Sequence, residues 1–300
     1  MKYFKTEASR KANRYTITKE SFILHTNNKF PFEQITIKGT LSQYGICPSC
    51  LNPIQLIGIS HEIKVSPHGK HTGKNIKGLP EWKQRRYIYC PYAKHSDYVA
   101  PNEQDTISDI DQNVIELYNL LKEQFDRAVY VVQNALHIRC SYDFWRKALL
   151  SYVNNRVYCY PWLTESNLPY ILALRGLQQG NCFGQRFEVN SDVYKAVSKH
   201  PNVAWADVQS KGYKMLQNNG NYLKLVFRLY NHQQKAIEGK ELRESLHFCI
   251  DDNATLKTVF EQKIEFDETF FINIINSDNS EQYRNKELLN IAAELMPPLV

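Results

Sequence analysis

The sequence predicts an α+β protein: a cysteine-bearing β module at the N-terminus, a helical middle, and a C-terminal antiparallel meander with flanking helices. Three observations predict it. β-branched and aromatic residues alternate in YTITKESFILHT and FEQITIKGTLSQYGI, as strands require. Ile110, Val114, Leu117, Leu121, Phe125, Val129 and Val132 recur at three- and four-residue steps, the period of an amphipathic helix. Leu223, Leu225, Phe227 and Leu229, then Leu246, Phe248 and Ile250, then Phe260, Ile264 and Phe266 mark three half-buried strands.

The boundaries follow from composition and turn signals. The β-rich module spans residues 1–104, the helical region 105–202, and the sheet with its C-terminal helices 203–300. In the first part, Asn27-Asn28-Lys29 separates the two strands, SPHGKHTGKNIKGLP reads as an exposed loop, and RRYIYC returns as a short strand. In the middle, Ser108 is placed as an N-cap, with Asp109 and Asp111 in a first turn that favours negative charge. That helix runs to about Leu136. A second starts at Ser141, a third covers Ser166–Gln179 and ends at Gly180, and Ser191 caps a shorter one. In the last part, Asp251-Asp252-Asn253 turns the second strand into the third. Helices follow at Glu268–Ile275 and Ser280–Leu295.

With 300 residues, 43% of them hydrophobic and 12% aromatic, the chain has the material for a substantial core, which excludes global disorder. It contains no run of eighteen apolar residues, so no membrane-spanning helix is expected. The basic start, MKYFKTEASRKANRYTITK, lacks the apolar centre of a signal peptide. A cytoplasmic location is therefore expected, and seven cysteines read as metal ligands and core residues rather than disulfides.

Cys47-Pro-Ser-Cys50 places two thiols two residues apart, and Cys90-Pro-Tyr-Ala repeats the first half of that turn. The spacing lets both sulfurs reach one tetrahedral ion without straining the chain. The pair of turns resembles the knuckles of zinc-ribbon proteins over Tyr44–His95, which implies a structural zinc held by Cys47, Cys50 and Cys90. Ala93 stands where a fourth thiolate would be. His95, two residues on, is the nearest substitute, with His71 and His68 as competitors. A redox pair is disfavoured because no βαβ pattern surrounds the cysteines.

The net charge of +6 is concentrated between Ile63 and His95, where eight cations face Glu81 alone, a local +7 that leaves the remainder at −1. Lys70, Lys74, Lys77, Lys83, Arg85 and Arg86 lie between the two cysteine turns, interleaved with Trp82, Tyr87 and Tyr89. Cations neutralise phosphates and aromatic faces stack on bases, so RNA or single-stranded DNA is the expected partner. An acidic protein surface is the competing one. The tyrosine content also allows self-association. A non-enzymatic protein-binding inhibitor or scaffold factor, of the kind viruses and mobile elements encode, is a further reading.

Asp252 followed by Glu261-Gln-Lys263 on the next strand resembles the core of restriction-endonuclease-like nucleases. That resemblance implies carboxylates on Mg²⁺ and a lysine beside the attacking water. The same face also fits the wet side of an ordinary sheet, as Lys257, Val259, Glu261, Lys263 and Glu265 share it. Binding rather than catalysis is the leading expectation.

Overall fold

A computed structural model describes the chain except residues 38, 60–65, 95–96, 98–104, 109–110, 179, 238–240, 278, 280 and 300. Helices account for 31% and antiparallel sheets for 26%, so the fold is α+β. Two compact units emerge. The first gathers Met1–Ser108 with Tyr160–Glu165 and Gln234–Arg243, and the second gathers Asp109–Cys159, Ser166–Gln233 and Glu244–Val300.

The first unit begins with β1 (Tyr3–Phe4), β2 (Tyr15–Thr16) and α1 (Lys19–Thr26). A strand expected over YTITKESFILHT is thus mostly helix. Thr18 accounts for the difference: its hydroxyl accepts from Ser21 N–H and caps α1, which a left-handed Asn27 closes. A four-stranded antiparallel sheet follows in the order β3 (Glu33–Ile35), β4 (Leu41–Ile46), β5 (Pro53–Ile57) and β6 (His68–His71). Gly69 on β6 has Met1, Ile54 and Ile17 side chains within about 3 Å of any added Cβ, so a larger residue there would have to displace that wall. The segment expected as a strand at RRYIYC is a helical turn, α2 (Gln84–Ile88). It buries Tyr87, whose ring packs on Trp82 and His71.

In the second unit the long amphipathic run forms two helices, α3 (Gln112–Glu123) and α4 (Phe125–Leu136), parted at Gln124, whose φ of −124° and ψ of 22° leave the helical range. No Pro or Gly marks the break. Arg127, three residues on, and Arg284, from far along the chain, both donate to the Gln124 side-chain oxygen. Val114, Leu117, Leu121, Phe125, Val129, Val132 and Leu136 are all buried. At roughly 1.5–3 kcal/mol for each such side chain, that stripe contributes on the order of 10–20 kcal/mol as an upper bound.

After β7 (Ile138–Arg139), α5 (Tyr142–Asn154) starts at its Ser141 cap. A 3₁₀ turn at Val157–Cys159 precedes α6 (Leu168–Gly176). Gly176 lets α6 close on α5, because a Cβ there would lie 2.8 Å from both Cα and O of Ala148. Then come β8 (Arg186–Glu188), α7 (Asp192–Val197) capped by Ser191, β9 (Val203–Asp207) and β10 (Tyr213–Asn218). These strands make an antiparallel sheet in the order β7-β8-β10-β9, so the region expected to be helical also carries strands. The expected meander is present as β11 (Leu225–Ile237), β12 (Glu241–Asp252) and β13 (Lys257–Glu265). It is followed by α8 (Phe270–Ile275) and α9 (Lys286–Leu295). Among the described residues no helix is long and apolar enough to cross a membrane.

Candidate metal centre

The first cysteine turn leaves β4 and enters β5. Cys47 N–H donates to Asn52 O and Leu51 N–H to Cys47 O, which closes the chain around Cys47 and Cys50. Leu51 takes a left-handed φ of +58°. That conformation costs a non-glycine residue roughly 1–2 kcal/mol. Leu51 is 4% exposed, and burial worth roughly 1.5–3 kcal/mol offsets the strain. The second turn begins as α2 ends, with Cys90 N–H donating to Tyr87 O and Ala93 N–H to Cys90 O.

Strand pairing supplies the fourth donor. β5 and β6 pair so that Ile54 faces His71, which brings the imidazole to the cysteines. Its Nε2 lies 3.2 Å from Cys50 Sγ and 3.7 Å from Cys90 Sγ, and Cys47 Sγ is 3.8 Å from Cys90 Sγ. All four donor atoms lie within 4.8 Å of one another. An ion bound tetrahedrally by three sulfurs at about 2.3 Å and one nitrogen at about 2.05 Å would have edges of about 3.8 Å (S–S) and 3.6 Å (S–N). The donor set therefore fits a metal ion. His95, favoured as the fourth donor from the sequence, lies outside the described residues. His68 stands three residues before His71, with its ring Nδ1 3.0 Å from Ser66 O.

Electrostatics inside the cluster are those of crowded donors. Burial raises the Cys47 thiol, but hydrogen bonds from Cys50 and Cys90 and the charge of His71 outweigh it and hold Cys47 well below its ordinary value. Burial lowers the His71 imidazole, yet the neighbouring Cys50 and Cys47 sulfurs carry it up to about 10. Burial and the adjacent thiols push Cys90 well up. Asn52 supports the shell: its Nδ2 donates to Cys50 Sγ at 3.4 Å and to Lys83 O at 3.1 Å, while its Oδ1 accepts from Lys83 N–H at 2.7 Å.

A buried charge network backs the first turn, and sequence reasoning missed it. Glu165 is fully buried and pairs with Lys5 (2.8 Å), Arg10 (2.9 Å) and Arg14 (2.8 Å), themselves 0–5% exposed. Arg10 Nη1 also donates to Ser49 O at 2.7 Å, inside the cysteine turn, and Lys5 pairs through its backbone with Ile46. Burial would raise Glu165, but the charges of Lys5, Arg14 and Arg10 more than offset it and hold its carboxyl well below the usual range. Lys5 is lowered to about 8, mainly by burial. The link joins residues 155 positions apart, so no local pattern could have signalled it.

Lys70, Lys74 and Lys77 are exposed. Lys83 pairs with Glu81, and Arg85 donates to Thr106 O at 2.7 Å. Arg86 is half-buried. Trp82 packs on Tyr87 (centroids 5.1 Å), and both rings flank His71 at 6.0 and 5.1 Å. Trp82 and Tyr87, two of the three aromatics of the basic segment, therefore pack against the Cys/His cluster.

Asp252, Glu261 and Lys263 occupy one hairpin at different levels. Asp252 pairs with Lys257 beside the turn, Glu261 faces Cys249, and Lys263 faces His247. The Asp252 carboxylate is buried and accepts from Ala254 N–H and Thr255 Oγ1. Glu261 accepts from Tyr230, with His247 Nδ1 2.9 Å away, and Lys263 pairs with Glu265. Among the described residues the Cys/His cluster is the one group of three or more such ligands close enough to share an ion.

Comparison with known proteins finds no counterpart. No protein-family model, curated protein or solved structure matches the chain.

Proposed function

We propose that the chain is a zinc-stabilised nucleic-acid-binding protein, with a structural ion held by Cys47, Cys50, His71 and Cys90. Three thiolates and one imidazole suit zinc, and a full set of four protein donors leaves no open position for substrate, which favours a structural over a catalytic role. The observation that carries the binding role is the position of Lys70. It precedes the ligand His71 directly, and exposed Lys74 and Lys77 follow it, none with an ion-pair partner among the described residues. An ion that fixes His71 also fixes the backbone presenting these cations.

The contact is with the phosphates of a single strand, and Lys83, Arg85 and Arg86 extend it. Trp82 and Tyr87 act here as cover for the ligand histidine rather than as free stacking platforms. Titration of labelled single-stranded RNA and DNA across salt concentrations, by fluorescence anisotropy, tests this. Each phosphate contact contributes about 0.7 to the slope of log K against log salt on a single strand. The triple variant Lys70→Gln/Lys74→Gln/Lys77→Gln is expected to bind more weakly and to lose about 2 from that slope. Binding that ignores salt, or that survives in the triple variant with its slope intact, contradicts the reading.

A further inference from the structure

A second region of like charge lies in the second unit, far along the chain from the basic segment and independent of the metal-centre reading. Arg139 on β7 and Arg186 on β8 are direct cross-strand partners. Such residues share a sheet face with Cβ atoms about 5 Å apart, and like charges in that position destabilise a sheet. Glu188, next on the same face of β8, is taken by His137, whose Nδ1 lies 2.7 Å away. The guanidinium of Arg139 rests over the Tyr213 ring at 4.2 Å, and neither arginine has an ion-pair partner among the described residues.

Both arginines line a cavity of about 470 Å³, within the roughly 300–1,000 Å³ typical of small-molecule sites. Its third arginine, Arg284, lies 3.4 Å from Asp126, the one acid in the lining, and Asp126 also accepts from the N–H groups of Asn285 and Arg127. Arg139 and Arg186 thus stand at the cavity wall without an ion-pair partner among the described residues. Tyr142 and the stacked pair Tyr130–Tyr283, with centroids 4.0 Å apart, supply flat apolar surface in the same lining.

We propose that this cavity binds a small phosphate ester carrying a planar ring, with the phosphoryl group between Arg139 and Arg186 and the ring against the tyrosines. Guanidinium forks match phosphate oxygens in a bidentate way, and an anion between them turns a repulsive pair into a shared clamp. Aromatic faces accept a planar ring irrespective of its substituents.

Calorimetric titration of the full chain with adenosine 5′-monophosphate, adenosine and inorganic phosphate tests the proposal. The monophosphate is expected to bind saturably and at least about tenfold tighter than either fragment, since hydrogen bonds to a charged group are worth that factor or more. Arg139→Gln and Arg186→Gln should each weaken it by about tenfold. Arg186→Gln should not lower Tm without ligand, because it removes one member of a repulsive pair. The proposal is overturned if the monophosphate does not bind saturably, if adenosine binds as tightly, or if both variants bind like the unaltered chain.

Discussion

His71 Nε2 sits 3.2 Å from Cys50 Sγ, across a gap of 21 residues. The β5–β6 register creates that contact, with Ile54 opposite His71 and Leu56 opposite Gly69. A slip of one residue would turn His71 to the other face of the sheet. The Cys/His cluster and the sheet register are therefore one structural commitment.

Asn52 ties Cys50 to Lys83 through both ends of its amide. Groups that orient ligands in this way typically account for 10–100-fold in metal affinity. Asn52→Ala should weaken the site by about that factor, measured by competition with a chromophoric chelator. An unchanged affinity would show that the amide serves only the backbone.

Glu165 is enclosed by Lys5, Arg10 and Arg14. Removing one partner of a buried ionic network costs about 3–5 kcal/mol, because the others stay buried without it. Glu165→Gln should destabilise the protein by that amount in urea unfolding. It should also weaken metal retention, since Arg10 bridges Glu165 and Ser49 O. A loss under about 1 kcal/mol, the range of exposed ion pairs, would contradict the assignment.

The same residue sets a pH response. Its folded-state pKa is held below the unfolded value of about 4.3, so its stabilisation is complete above that value and is lost as pH falls towards the lower folded pKa. Stability measured by urea midpoint should fall steeply below about pH 4. In Glu165→Gln that acid limb should flatten. An identical acid limb in the variant would assign the response to other carboxylates.

Much of the metal centre is legible in the sequence because its signal is local. Cys47-Pro-Ser-Cys50 is a spacing that one turn satisfies, and Cys90-Pro repeats its opening. In the sequence the fourth donor stays open between His95, His71 and His68, because only strand pairing brings His71 within reach of the cysteines. Trp82 and Tyr87 read as surface aromatics since nothing in RRYIYC announces a helical turn that packs them on His71. The core stripe from Val114 to Leu136 is visible as a period, yet its break at Gln124 is not, because neither Pro nor Gly marks it and the Arg284 bond to Gln124 comes from far along the chain. The Lys5–Arg10–Arg14–Glu165 network is illegible for the same reason: charged residues normally face water, and only tertiary structure reveals otherwise.

Gly176 gives a test of the second unit. A methyl group there would lie 2.8 Å from Ala148 Cα and O, where backbone cannot give way as a side-chain tip could. Overpacking of this kind costs about 1–3 kcal/mol, against a helix-propensity gain of about 1 kcal/mol for Gly→Ala. Gly176→Ala should therefore be net destabilising in thermal unfolding. A stabilised variant would mean that α5 and α6 pack less closely than described.

The most direct test is the metal content of protein purified without chelator, compared with Cys47→Ser, His71→Ala and His95→Ala variants. One zinc per chain, lost in Cys47→Ser and His71→Ala and retained in His95→Ala, is the expected result. No bound metal in the unaltered chain, or loss in His95→Ala with retention in His71→Ala, would contradict the site.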